Sequence, residues 1–467
     1  MRLLSPVLLR RLQQASKRIT GSPDHLFNLI ADLINDRYFS RMWTTQEVVL
    51  SNKCSVCYGE YTIPWSDFAN AAMIITSKSS RSGLPEGFLT FWTLWRQKGG
   101  ALDASAASNL VFLSLVLALD RVATDPRDKI FAFYGIFHNY NIDFPVPDYS
   151  KSAAEVFAEA AISVIKSAKS LLILSLVNNN DRLPRLPSWV PDWRDPGFAP
   201  PILPPQGFTH FKTREPQFSE GERLLHVFGR VFGRIASCSD SYREYPIFRD
   251  ADLGTVAKRV ASDGLQRIRV LQDWTRTALR LGSYPTREDL TTVYFATVTQ
   301  GFSKLDDSSK GLAGASPDKT ADKAFYAWSK LLLVNELMYQ HYVDRPDLSV
   351  PGYPGADARD PAYWALSNLY ASQKLGVADT WDMHNKVLKL AENKALFTTD
   401  NGYMGVAFHT VRQGDLVVLL SHAGVPMVIR PVDAVRYQLV APAYMHPLSG
   451  LVAAAKAVGS LEEFVLV

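Results

Sequence analysis

Toward its end the chain places four short apolar runs in close succession: Gly405 to Phe408, Leu416 to Leu420, Pro426 to Arg430 and Tyr437 to Ala441. They are separated by Gln413-Gly414-Asp415, Ala423-Gly424 and Pro431-Val432-Asp433, residue types that turn a chain rather than continue it. Runs this short cannot bury a helical stripe, so they read as strands of a small meander or barrel. Leu224 to Cys238 alternates in the same way, with Leu225, Val227 and Gly229 set against Leu224, His226 and Phe228. If that segment joins the terminal unit, the helical stretch between them is one large insertion.

The remaining chain can supply cores of its own. A length of 467 residues with 47% hydrophobic side chains allows two or three packed units. The net charge of +4 is small against 50 basic and 46 acidic residues, and no Lys/Arg cluster forms a nucleic-acid footprint. Cys54, Cys57 and Cys238 are too sparse for a disulfide framework and suit a reducing compartment. The longest apolar run, Leu110 to Leu119, is interrupted by Ser114 and ends at Asp120-Arg121, so it reads as a buried helix and not a membrane span. Met1 to Lys17 lacks a secretory signal's continuous apolar core, and the expected location is the cytoplasm.

In chain order, Leu3 to Ile19 and His25 to Asn35 carry helical periodicity. Phe39, Trp43 and Glu47 then recur at four-residue spacing and share a helix face, with Arg41 off it. A strand is expected near Cys54 to Gly59, Trp65 is a packing anchor, and Ser66-Asp67 caps a helix over Phe68 to Thr76. Asp125, Pro126 and Asp128 fit N-cap, N1 and N3 of a helix running through Lys129 to Tyr134 and stopped at Gly135. Ser152 and Glu155 form a second capping box, ahead of an apolar face from Ala153 to Ile165. Leu186 to Trp193 is proline-rich and irregular, with buried tryptophans. Ser303 to Lys323 reads as a mobile polar loop and Asp344 to Pro361 as irregular chain.

Several of these stretches together resemble the fungal heterokaryon-incompatibility (HET) proteins. Arg41-Met42-Trp43-Thr44-Thr45-Gln46-Glu47 resembles that family's Arg-x-Trp-Thr-x-Gln-Glu motif, and Cys57-Tyr58-Gly59 with Ile63-Pro64-Trp65 resembles the end of the same block. Asp125-Pro126-Arg127-Asp128-Lys129, Pro147 to Ser152, Leu186 to Trp193 and Phe397 to Gly405 are similar to segments that follow in the family's order. The family's opening Tyr-x-x-Leu-Ser-Tyr-x-Trp-Gly strand does not occur before Arg41, and Tyr444 to Gly450 departs from its usual ending. The resemblance implies an α/β fold, α+β overall. It divides into a partial HET domain like that of Toll/interleukin-1 receptors (1–80), a helical region (81–195), linker and strands (196–245), a helical insertion (246–393) and a β-rich terminal unit (394–467).

It also implies a role in non-self recognition and programmed cell death, through protein partners or self-association. Because some Toll/interleukin-1-receptor-like domains cleave NAD with a glutamate on a Trp-Cys-x-x-Glu helix, the resemblance aligns Glu47 with that acid. Arg41, Trp43 and Gln46 would support it, and NAD would be substrate, with no resident cofactor. Glu47 would then hold ribose hydroxyls and stabilise the cationic centre left by nicotinamide. The plainer reading is an Arg41–Glu47 ion pair beside a core Trp43.

Cys54 and Cys57 have the spacing of half a zinc site without a second pair, so free buried thiols and no metal are expected. Asp125, Arg127 and Asp128 are explained by capping and a local salt bridge; Tyr403 and His409 are weaker pocket candidates. A further alternative is a secondary-metabolite enzyme of cyclase or isomerase type, with a small-molecule pocket between the helical and β units.

Overall fold

The computed structural model describes residues 37–58, 61–78, 94–96, 102–178, 182–194, 201–202, 213–241, 267, 269–301, 378–447 and 461–467. The helices expected over Leu3 to Ile19 and His25 to Asn35, the polar segment Ser303 to Lys323 and the stretch Asp344 to Pro361 lie outside these residues. The fold is α+β. It divides into two compact units: Met1–Ala168 with Trp193–Pro196, and Lys169–Asp192 with Gly197–Val467. No helix among the described residues is long and apolar enough to cross a membrane.

In the first unit a helix over Met42–Leu50 is followed by the hairpin of β1 (Ser55–Tyr58) and β2 (Tyr61–Pro64). The next helix spans Trp65–Lys78 and starts earlier than the Ser66-Asp67 cap implied. The Trp65 N–H donates to the Cys54 carbonyl at 2.9 Å, so the hairpin's closure sets the helix start. Trp65 is buried, with its ring against Phe39, Phe68 and Trp95.

The apolar run forms the expected buried helix, Ala104–Asp120, whose N-cap Asp103 accepts from the Ala106 N–H at 2.7 Å. Its other end is closed by the buried Lys129, whose Nζ donates to the carbonyls of Ala118 (2.8 Å) and Arg121. An ammonium placed there satisfies orphan carbonyls and meets the negative end of the helix dipole. The Ala153–Ala168 helix starts with the expected capping box: Ser152 N–H donates to Glu155 Oε2 at 2.8 Å, and Glu155 N–H to Ser152 Oγ at 3.3 Å. Phe157 on its buried face meets Trp193 edge to face, and Trp193 Nε1 donates to the Leu115 carbonyl at 3.1 Å.

The second unit is built on an eight-stranded sheet of β3 (Gln217–Ser219), β4 (Leu224–Cys238), β5 (Lys394–Thr399), β6 (Met404–Phe408), β7 (Leu416–Leu420), β8 (Met427–Pro431), β9 (Arg436–Met445) and β10 (Glu462–Leu466). Following the pairings β4–β5–β6–β9–β8–β7 and back to β4 closes a ring of six strands. The long strand β4 makes this possible. Its first third pairs with β10, its middle with β7 and its last residues with β5, with register shifts between Val231 and Gly233 and again between Ile235 and Ser237. Such bulges bend a strand, and closure leaves the ring without free edges.

Strand alternation separates two cores. Phe397, Ala407, Val417, Val428 and Val440 pack together with Ile235. Leu396, Met404 and Val406 instead join a cluster with helical residues, among them Trp274, Val293, Val298 and Val387. These come from the helical residues 269–279 and the helices Leu290–Val298 and Ala378–Ala391. Strands β5 and β6 are therefore buried on both faces and lack an exposed side. Gly405 is required where β6 crosses its neighbours: a Cβ there would stand 2.5 Å from Phe397 Cζ and 2.8 Å from the Tyr444 carbonyl. The turn before β7 is tied to β8 by Asp415, which receives Arg430 Nε at 2.7 Å and a second guanidinium nitrogen at 2.8 Å, as well as the Arg412 N–H at 2.8 Å.

Candidate functional site

Three of the motif stretches in the first unit converge on Asp128. Trp43 lies on the Met42–Leu50 helix and donates its indole N–H to Asp128 Oδ2 at 3.0 Å. The Tyr149 hydroxyl donates to Asp128 Oδ1 at 2.6 Å. Arg127 forks onto Asp125 at 2.6 to 3.2 Å and donates onward to the carbonyls of Tyr149 (2.6 Å) and Lys151 (2.9 Å). Its guanidinium carbon stands 5.1 Å from the Tyr149 ring centroid. The Arg127 side chain is the leading cause that lowers the Asp125 carboxyl below the usual carboxylate range. Burial, reinforced by the hydrogen bond to Asp128, pushes the Tyr149 phenol up to about 12.

This geometry corrects the expected capping. Asp125 does accept the Arg127 N–H, at 3.0 Å, but Asp128 turns to Trp43 and Tyr149 instead of back toward Asp125. The helix covers only Asp128–Phe131, and a second one, Tyr134–Asn139, contains Gly135 where a stop was expected. Gly135 serves packing: a Cβ there would stand 3.1 Å from both Gln46 Nε2 and Leu50 Cδ1. Gln46 thus lies against the Tyr134–Asn139 helix, as a contact residue.

Glu47 is exposed, and its Oε2 accepts from the Tyr38 hydroxyl at 3.1 Å. Burial first, and then Glu47, raise the Tyr38 phenol above its ordinary value. The expected Arg41–Glu47 ion pair does not form, because Arg41 is exposed and held through its backbone, which bridges to Val122 in parallel. Trp43 is half-buried, not a core residue, because its N–H needs the Asp128 carboxylate at the rim.

A cleft of about 590 Å³ opens in the same unit between the end of the Met42–Leu50 helix and residues 94–96, lined among others by Lys53, Cys54, Ser66, Trp95 and Arg96. Glu47 does not line it. The cysteines depart from the buried thiols expected: Cys57 is exposed and Cys54 half-buried, since the two-stranded hairpin is too small to enclose them. Among the described residues no group of three or more His, Cys, Asp and Glu could hold a metal ion.

In the second unit Tyr403 is an aromatic bridge, its ring edge-on to Phe232 (4.8 Å) and Tyr284 (5.3 Å). His409 Nδ1 donates to the Asn393 carbonyl at 3.1 Å, which fixes its ring locally. Tyr149, absent from the sequence candidates, joins the Asp128 cluster from the loop after Pro147. Its local signals are the Pro147 to Ser152 stretch itself and the turn in which Asp148 accepts the Ser150 N–H and hydroxyl.

The molecule is thus an α+β protein with a closed barrel in its second unit and a saturated polar cluster in its first. Residues 367–464 match the family model described as the Het-6 beta-barrel domain, which is heterokaryon-incompatibility related. The match takes in β5 to β9 and enters β10, and it does not extend to Arg41–Glu47. No curated protein and no solved structure matches the chain.

Proposed function

We propose that the chain is a heterokaryon-incompatibility-type protein of fungal non-self recognition and programmed cell death, acting as sensor or effector through protein contacts. The observation that carries this reading is the barrel match over residues 367–464, whose strands β5 to β9 close into a ring together with β4. The motif residues of the first unit support contact rather than turnover. Asp125, Arg127 and Asp128 spend their hydrogen-bonding capacity on one another and on Trp43, Tyr149 and Lys151. Glu47 stands outside the cleft.

Inducible overexpression in a fungal host tests the reading. Growth should be restricted, and E47Q should restrict it as strongly as the wild type. Normal growth with folded protein accumulating would overturn the proposal. Relief by E47Q alone, accompanied by preserved NAD, would shift the function to NAD cleavage.

A further inference from the structure

On β3, β4 and β10, three side chains from three strands stand in line. Ser219 Oγ lies 2.6 Å from His226 Nε2, and His226 Nδ1 lies 2.8 Å from Glu463 Oε1. The strand register explains why. His226 on β4 is paired with Gln217 on β3 and with Val465 on β10. Ser219 is two residues beyond Gln217 and Glu463 two residues before Val465, so strand alternation returns both to the face that carries His226. They flank it on opposite diagonals.

A carboxylate only accepts, so His226 Nδ1 carries the proton toward Glu463. In the neutral ring this leaves the Nε2 lone pair facing the Ser219 hydroxyl. That is the tautomer a general base needs to activate a serine. The His226 side chain is 23% exposed and Glu463 48%, so water and a substrate reach the line. The strands beneath are rigid: Leu225, Val227, Phe464 and Leu466 are buried.

The loop after Ser219 adds a second feature. Glu220, Gly221 and Glu222 all have positive φ (49°, 64° and 68°), a conformation that non-glycine residues adopt under strain and that persists only when the surroundings impose it. The buried Trp189 contacts both sides of the turn, its ring tilted against that of Phe218 at 5.7 Å and its Nε1 donating to the Arg223 carbonyl at 3.1 Å. The N–H groups of Glu220 and Gly221 engage no acceptor among the described residues. They are the amides next in the chain to the hydroxyl.

We propose that Ser219, His226 and Glu463 form a hydrolytic site for small neutral acyl esters. Ser219 Oγ adds to the ester carbonyl carbon while His226 Nε2 takes its proton. The tetrahedral adduct collapses, the C–O bond to the alcohol breaks, and His226 returns the proton to the departing alkoxide. Water then attacks the acyl-serine, giving up a proton to His226, and Ser219 is regenerated as the carboxylic acid leaves. Glu463 is a positioning residue that holds the imidazole. The turn after Ser219 carries the exposed Glu220 and Glu222, and its acidic character disfavours anionic substrates.

The test uses the full chain with a fluorophosphonate probe and p-nitrophenyl acetate. One adduct should form, mapped by mass spectrometry to Ser219, and be absent from S219A and H226Q. Ester hydrolysis should fall on the order of 10²-fold or more in both variants. E463Q should lower kcat with KM unchanged, and E463D should restore part of the loss. A folded wild-type chain that leaves Ser219 unlabelled overturns the proposal, as does equal labelling of H226Q.

Discussion

The Asp128 cluster of the first unit and the Ser219–His226–Glu463 line of the second contain similar residue types used in different ways. Around Asp128, both carboxylate oxygens are taken, by Trp43 and Tyr149, and Arg127 is distributed over Asp125 and two backbone carbonyls. Nothing in that cluster keeps a lone pair aimed at a reactive hydrogen. In the line across β3, β4 and β10 the histidine faces a hydroxyl on one side and a carboxylate on the other. A polar cluster whose members satisfy one another is framework, and one that keeps an acceptor poised against a nucleophile retains capacity for chemistry. Trp43, Asp125, Arg127, Asp128 and Tyr149 are of the first kind.

Perturbations that separate structural polar groups from reactive ones sharpen this contrast. The largest stability loss is expected from D415A, which strands the Arg430 guanidinium beside a turn that depends on the buried carboxylate; denaturant unfolding should show a loss of about 3 kcal/mol. D128A removes the acceptor of two hydrogen bonds at a half-exposed position. It should cost about 2 kcal/mol and shift Trp43 fluorescence, because the indole loses its partner.

A smaller, pH-dependent effect is expected at Asp125. Its folded-state pKa is lowered, chiefly by Arg127, so its contribution is present above the unfolded value of about 3.9 and is lost as pH falls through the folded value. Unfolding curves of wild type and D125N should therefore differ at neutral pH and converge in acid. S219A, by contrast, should leave the first unit's unfolding untouched while removing ester hydrolysis. A large stability loss at Asp415 together with no catalytic effect there would keep the two kinds of site distinct.

How much of this was legible in the sequence followed from sequence distance. The Ser152–Glu155 capping box and the Leu416–Leu420 strand are local patterns and are observed as read. The burial of Trp189 and Trp193 also holds, because a large ring in a proline-rich segment has few other places to go. Strand β5 was not legible, since both its faces are buried and no alternation remains. The local spacing of Asp128 allows a helix cap; only the approach of Trp43, 85 residues away, and of Tyr149 redirects it. In the sequence His226 is one position of an alternating strand. Its partner Glu463 is 237 residues distant, and no periodicity encodes that pairing.

By itself the sequence determined part of the local grammar of this protein: the long buried helix, the Ser152–Glu155 cap, the strands from Met404 to Met445 in outline, and the burial of Trp65, Trp189 and Trp193. Hydrogen bonds and hydrophobic periodicity within a few residues are enough to decide these. Tertiary structure decided which polar groups meet. Closing the ring through β4 and laying β10 against it brings the two ends of the second unit's chain into register. Side-chain contacts across that register depend on long-range closure, which local energies do not specify.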